Sequence, residues 1–480
     1  MLYCPENWER FHSATPNARN QALALYNPQA PLRDASITDL GGRTSRVYSL
    51  NAAASPAVRP AWLPLVLALS GLALLCTAAV AATAASADAV RVAQPRAEVI
   101  HWWTSGGEAG AVRALAEAYR AAGGVWVDTA IAGSEQARAV ALSRIVGNDA
   151  PAAALFNASR QFRELIDQNL LITLDDVAQR EGWDAILPEP ILDAVRVNGH
   201  YYAAPVSLHM PTWIWYSKAA LHKAGVAKEP ASFAELFAAL DKLKAAGLIP
   251  LAHGGQAWQD SIVFRAVLAN LGGRELYLHL FRNRDAAAIA SPQFREVLTT
   301  FKRLHSYVDA GSPGRNWNDA TALLMANRAG FQIMGDWVKA EFSSAARLPG
   351  RDYGCIAGFG PHSPYIVQGD AFVFPRSGNP ATLRAQKLLA SAITGRSTQL
   401  AFSALKGSIP IRADVDVSTL DQCARLGVAI MKDHSRQLGN DETWLTPDQN
   451  GALADILTEY WNRDLSVSVV QQRIAAALAD

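Results

Sequence analysis

A run without one charged side chain, from Pro60 to Ala87, divides this chain into two parts that face different surroundings. Its centre, AWLPLVLALSGLALLC, is strongly apolar. Arg43, Arg46 and Arg59 precede it, and Ala85-Ser86-Ala87 supplies the small residues that signal peptidase requires. Basic, apolar, then small is the order of a secretory signal. The run is also long enough to span a bilayer if it stays uncut. Residues 59–87 are therefore expected to be a signal peptide cleaved after Ala87, or else a membrane anchor, with the rest of the chain folding outside the cytoplasm. Residues 1–58 are polar, rich in Asn, Ala and Pro, and lack an amphipathic period; they are expected to form a poorly structured extension. No Met lies between Met1 and the apolar run, so a translation start closer to it needs another codon.

Export bears on the four cysteines. Cys4 and Cys76 lie before or within the apolar run, and Leu75 makes a poor lipoprotein cleavage box, so no lipid is expected on Cys76. Cys355 and Cys423 remain. In an oxidising compartment they are a candidate disulfide, the alternative being two separate buried thiols.

The 480 residues exceed one ordinary core and imply two domains or more. A net charge of +1 argues against a nucleic-acid partner, and 50% hydrophobic residues argue against disorder. The 13 Trp residues serve either large cores or flat stacking surfaces.

Beyond the apolar run, strand-like and helix-like segments alternate. Ala97–Trp103, Val125–Ile131 and Ala152–Phe156 read as strands, separated by helical stretches at 109–122 and 136–146. That alternation implies an α/β sheet of parallel type. Further strands are expected at Tyr201–Val206, Thr212–Tyr216, Ile249–Ala252, Gly330–Met334 and Asp370–Phe374, and mostly helix from Asp416 onward. No repeat or low-complexity linker separates two halves, which fits a chain crossing between lobes several times. No phosphate-binding loop occurs.

The segment HWWTSGGE, His101–Glu108, carries the first candidate chemistry. Side chains alternate along a strand, so Trp102 and Trp103 cannot both face one core. Ligands of open α/β sheets sit at the carboxyl ends of strands. A sugar needs aromatic surface for its CH faces and charged or amide partners for its hydroxyls. Trp and Glu108 at a strand end supply both; the alternative is one core Trp and one lid Trp.

From about Val99 onward the sequence resembles the bacterial extracellular solute-binding proteins of sugar importers, and most of all their glucose-binding branch. The resemblance rests on HWWTSGGE (101–108), GHYYAAPVSLH (199–209), TWIWYSK (212–218), AHGGQAWQD (252–260), WNDATALLMANRAGFQIMGDW (317–337), GDAFVFP (369–375) and KGSIPIR (406–412). It implies a two-lobed α/β fold of the type II periplasmic-binding-protein kind, with a ligand cleft between lobes and several hinge crossings. Lobe one is expected at 97–206 and 362–404, and lobe two at 207–361 and 405–480. It also implies sugar contacts at Trp102, Trp103, Glu108, Asp370 and Lys406, with Trp317 and Trp337 as walls from the other lobe. The expected partners are a sugar and an inner-membrane ABC permease in the periplasm, and the protein is expected to be a monomer without cofactor or metal. A membrane-tethered sugar sensor is the alternative.

Two departures concern the sugar. Where the glucose binders place a Lys or Gln after the third strand, Ser159 falls nearby; where they place a C-terminal His, this chain has Asp441-Glu442-Thr443-Trp444. Trp444 is therefore a candidate for extra stacking surface. An enzyme is not expected. Glycosidases need two carboxylates about 5–10 Å apart around the bond, and no motif marks Glu108 and Asp370 as such a pair. HExxH and GxSxG are absent, and His209, His222 and His253 read as isolated packing or surface residues.

Overall fold

Two sheets carry residues 94–479, the part described by this computed structural model. The extension and the apolar run lie outside the described residues. Among those described, no helix is long and apolar enough to cross a membrane.

Ten strands build the two sheets: β1 (Arg96–His101), β2 (Val125–Ala130), β3 (Ala153–Asn157), β4 (Ala203–His209), β5 (Trp213–Ser217), β6 (Ile249–Leu251), β7 (Ala329–Met334), β8 (Tyr353–Ile356), β9 (Tyr365–Val373) and β10 (Gln437–Gly439). The first sheet runs β10-β9-β3-β1-β2, with β4 also paired to β9. β1 is parallel to β2 and β3, as the alternation of strands and helices predicts. The second sheet runs β8-β5-β7-β6. The chain thus leaves the first sheet after His209, returns at Tyr365, and leaves again after β10. The segment 405–480 was expected wholly in lobe two. Instead, three of its residues extend the first sheet alongside Tyr365–Val367, where the buried backbone of β9 needs a partner.

Helices fix the strand ends. α1 (Gly106–Ala121) starts at a capping box: Ser105 Oγ accepts from Glu108 N, and Glu108 accepts from Ser105 N. Its stripe of Ala111, Val112, Leu115 and Tyr119 is buried. α2 (Ser134–Val146) follows β2. In the second lobe, α3 (Ala257–Val267), α4 (Trp317–Met325) and α5 (Val338–Ser344) surround the sheet. α6 (Arg396–Lys406) packs on α1, while α7 (Gln422–Met431) carries Cys423. α8 (Pro447–Asn462) packs on α3, and α9 (Val467–Leu478) on α8.

Cys355 on β8 and Cys423 on α7 form a disulfide. It ties the second sheet to the segment that crosses back to the first. The lobes also meet closely at α1 and α5. Gly107 N donates to Glu341 Oε1 at 3.1 Å, and a Cβ on Gly107 would come within 2.4 Å of the Ala340 carbonyl carbon. Only glycine permits that approach.

Candidate functional site

All seven residues singled out from the sequence line one cavity of about 280 Å³: Trp102, Trp103, Glu108, Trp317, Trp337, Asp370 and Lys406. The cavity lies at the carboxyl end of β1, between the N-termini of α1 and α4.

The two adjacent Trp residues divide as strand alternation requires. Trp102 is half-buried. Trp103 is only 2% exposed and packs edge-on against Phe372 at 5.9 Å and tilted against Phe402 at 5.4 Å. Trp103 is therefore as much a core anchor as a wall. It touches the cavity from beneath, and its Nε1 has no partner among the described residues.

Glu108 and Lys406 form one polar unit. Lys406 Nζ donates to Glu108 Oε1 at 2.9 Å, both side chains being nearly buried. The ammonium also sits 5.6 Å from the Trp103 ring centroid and 5.9 Å from that of Trp337. Lys406 ends α6, and Gly407 turns the chain there at φ 85°. A ligand hydroxyl reaching this pair meets a donor and an acceptor already oriented.

Asp370 sits mid-strand on β9, 6% exposed. A register shift opposite Asp370 and Ala371 aims Ser207 at the carboxylate, and Ser207 Oγ donates to Oδ2 at 3.0 Å. Bulges of this kind re-aim side chains beside sites. The second partner of Asp370 is His209, at the end of β4. Its Nε2 lies 3.2 Å from Asp370 Oδ2, close enough for an ion pair though not aligned as a hydrogen bond. Its Nδ1 bonds Asp336 Oδ1, and Asp336 Oδ2 accepts from Met210 N at 3.1 Å. Burial alone would push the imidazole down, but Asp336 and Asp370 outweigh it and hold His209 at about 9. The reading of His209 as isolated is thus corrected. It is packed, but as a cation between two carboxylates, one from each lobe.

Trp337 opens α5 directly after Asp336 and meets His209 edge-on at 5.3 Å. Trp317 opens α4. Trp258, not among the seven, also lines the cavity 6.3 Å from Trp337. Gln256 positions this wall: its Oε1 accepts from Trp258 Nε1 at 3.0 Å and its Nε2 donates to Asn316 at 3.1 Å. The motif AHGGQAWQD was the available signal. Asn157, Asn316, Asn318 and Gln368 add amides that sequence reasoning missed.

Two positions noted in the sequence lie away from the cavity. Ser159 does not reach the cavity; its hydroxyl caps the turn at Arg160–Phe162 by accepting from Gln161 N, and Asn157 lines the cavity instead. Trp444 packs edge-on with Tyr277 and faces a separate groove, because Asp441 is pinned by Arg265 and turns the segment away.

Two α/β lobes with an aromatic, polar cavity between them define a ligand-binding protein of the two-lobed kind. The chain belongs to the bacterial extracellular solute-binding proteins, whose family model matches residues 104–394. A probable sugar-binding periplasmic protein of Rhizobium meliloti (strain 1021) is 39% identical over 356 residues, 74% of this chain and 85% of that protein. A probable sugar-binding periplasmic protein of Brucella suis biovar 1 (strain 1330) is 36% identical over 415 residues, covering 85% and 98%. Among solved structures, a bacterial solute receptor with an exclusive preference for b-D-galactopyranose superposes with a TM-score of 0.69. It is 18% identical and covers 79% of this chain and 97% of that one, a likeness that speaks for the fold.

Proposed function

We propose that this protein is the periplasmic sugar-binding component of an ABC importer, taking a hexose-containing mono- or oligosaccharide and delivering it to an inner-membrane permease. One observation carries the reading: Trp102, Trp317 and Trp337 wall a single cavity into which Glu108, Lys406 and Asp370 converge. Flat aromatic surface beside paired donors and acceptors is what a pyranose ring needs. The names of the relatives from Rhizobium and Brucella support the same ligand class.

The geometry supports a working cycle of closure around the ligand. Trp102, Glu108 and Asp370 belong to the first lobe, and Trp317 and Trp337 to the second. A sugar that touches both sets favours the closed state by its differential affinity. The hinge is taken to lie where β4 and β9 leave the first sheet.

Calorimetry against a panel of mono- and disaccharides tests this. At least one hexose-containing sugar is expected to bind with micromolar or tighter affinity, about −8 kcal/mol. Binding confined to peptides, polyamines or metal ions refutes it.

A further inference from the structure

Trp258 and Trp337 also wall a second chamber of about 450 Å³, larger than the cavity itself and sharing Asn157 and Gln368 with it. We propose that this chamber is a second sugar subsite, so that the ligand is at least a disaccharide whose second ring lies between Arg138, Gln161 and Glu442. The proposal rests on the sugar-binding reading and narrows it.

Three features carry it. The Trp258 and Trp337 rings, 6.3 Å apart and inclined at 50°, stand at the junction of the two spaces, where a glycosidic link would pass. Arg138 on α2 lines the chamber and makes no hydrogen bond or ion pair among the described residues; burial lowers its pKa, with Glu442 the largest opposing influence. Glu442 is held by Gln161 Nε2 at 3.1 Å, and burial pushes its carboxyl up. The two charges are thus partly desolvated without touching each other. Hydroxyls placed between them would accept from the guanidinium and donate to the carboxylate. Arg265 is not available in the same way, since Asp441 already binds it through two bonds of 2.7 Å.

The charge count selects a neutral ring. Glu135 and Glu164 line the chamber along with Glu442, so an acidic sugar or a phosphosugar would meet as many carboxylates as arginines. The first lobe supplies Arg138 and Gln161, while α3 of the second supplies Trp258. A second ring here would touch both lobes and add to closure.

Titration calorimetry on the whole exported chain tests the subsite with hexose monosaccharides and hexose disaccharides of α and β linkage. At least one disaccharide is expected to bind about tenfold or more tightly than its component monosaccharide. Arg138→Ala is expected to weaken that disaccharide about tenfold and leave the monosaccharide within about twofold. Glu442→Gln keeps an acceptor for Gln161 and is expected to act in the same direction; an unchanged melting temperature shows that either variant still folds. Monosaccharides binding as tightly as every disaccharide, or Arg138→Ala weakening both alike, would overturn the subsite alone. If sugars of neither length bind, the sugar-binding reading fails and the subsite falls with it.

Discussion

Replacing His209 with Gln removes the cation that bridges Asp336 of the second lobe and Asp370 of the first. The ordinary imidazole value is 6.5, and the folded protein holds this one at about 9. A raised value means that the stabilisation is fully present below pH 6.5 and is lost as pH climbs through 9. At about 1.4 kcal/mol per pH unit, that rise is worth up to about 3 kcal/mol. Among the described residues, the groups in contact with the imidazole are the two carboxylates and the Trp337 ring, with no second cation among them. Glutamine keeps a hydrogen-bond donor for one Asp but carries no charge. Thermal melting of wild type and His209→Gln from pH 6 to pH 10 reads the difference and cancels the titrating groups that do not touch His209. Wild type is expected to melt roughly 3–6 °C higher near pH 6. The gap should narrow between pH 6.5 and 9 and nearly close by pH 10. A gap that stays constant across this range would show that His209 acts by packing alone.

The two adjacent Trp residues should separate by assay. Trp102→Ala is expected to weaken sugar binding by about tenfold or more with little change in melting, whereas Trp103→Ala, which empties a core site 2% exposed, should cost about 3–5 kcal/mol in denaturant unfolding. Gly107→Val puts a side chain where the Ala340 backbone stands 2.4 Å from the first added carbon; small-angle scattering should show the lobes further apart and calorimetry a loss of affinity, and an unchanged scattering profile with full affinity refutes the contact. Joining residues 68 apart, the Cys355–Cys423 bond is expected to contribute about 4 kcal/mol by restricting the unfolded chain. Changing both cysteines to Ser should show this in urea unfolding, and equal stability with and without the bond argues against it.

How far the sequence could be read depends on the range over which each feature is specified. The alternation of strands and helices is local, and it leads to the parallel pairing of β1 with β2 and β3. The division of Trp102 and Trp103 between cavity and core follows from strand alternation, but which one goes inward does not. That is decided by Phe372 and Phe402, some 270 and 300 residues further on. β10 is three residues long, too short for any pattern, and exists because the edge of β9 is open to it. His209 shows the limit most clearly. In isolation it is a histidine at the end of an apolar strand, where a satisfied packing role is the sound expectation. Its charge comes from Asp336 and Asp370, 127 and 161 positions away, which the fold brings to opposite sides of one ring. The same reasoning applies to Ser159. The chain turns at that point because the hydroxyl caps the following residues, and the turn carries it out of the cavity that Asn157 lines. Walls could thus be located from motifs, since each wall is a short segment at a strand end. The groups that hold the walls and tune their charge come from distant segments, and they are visible only once the two lobes are assembled.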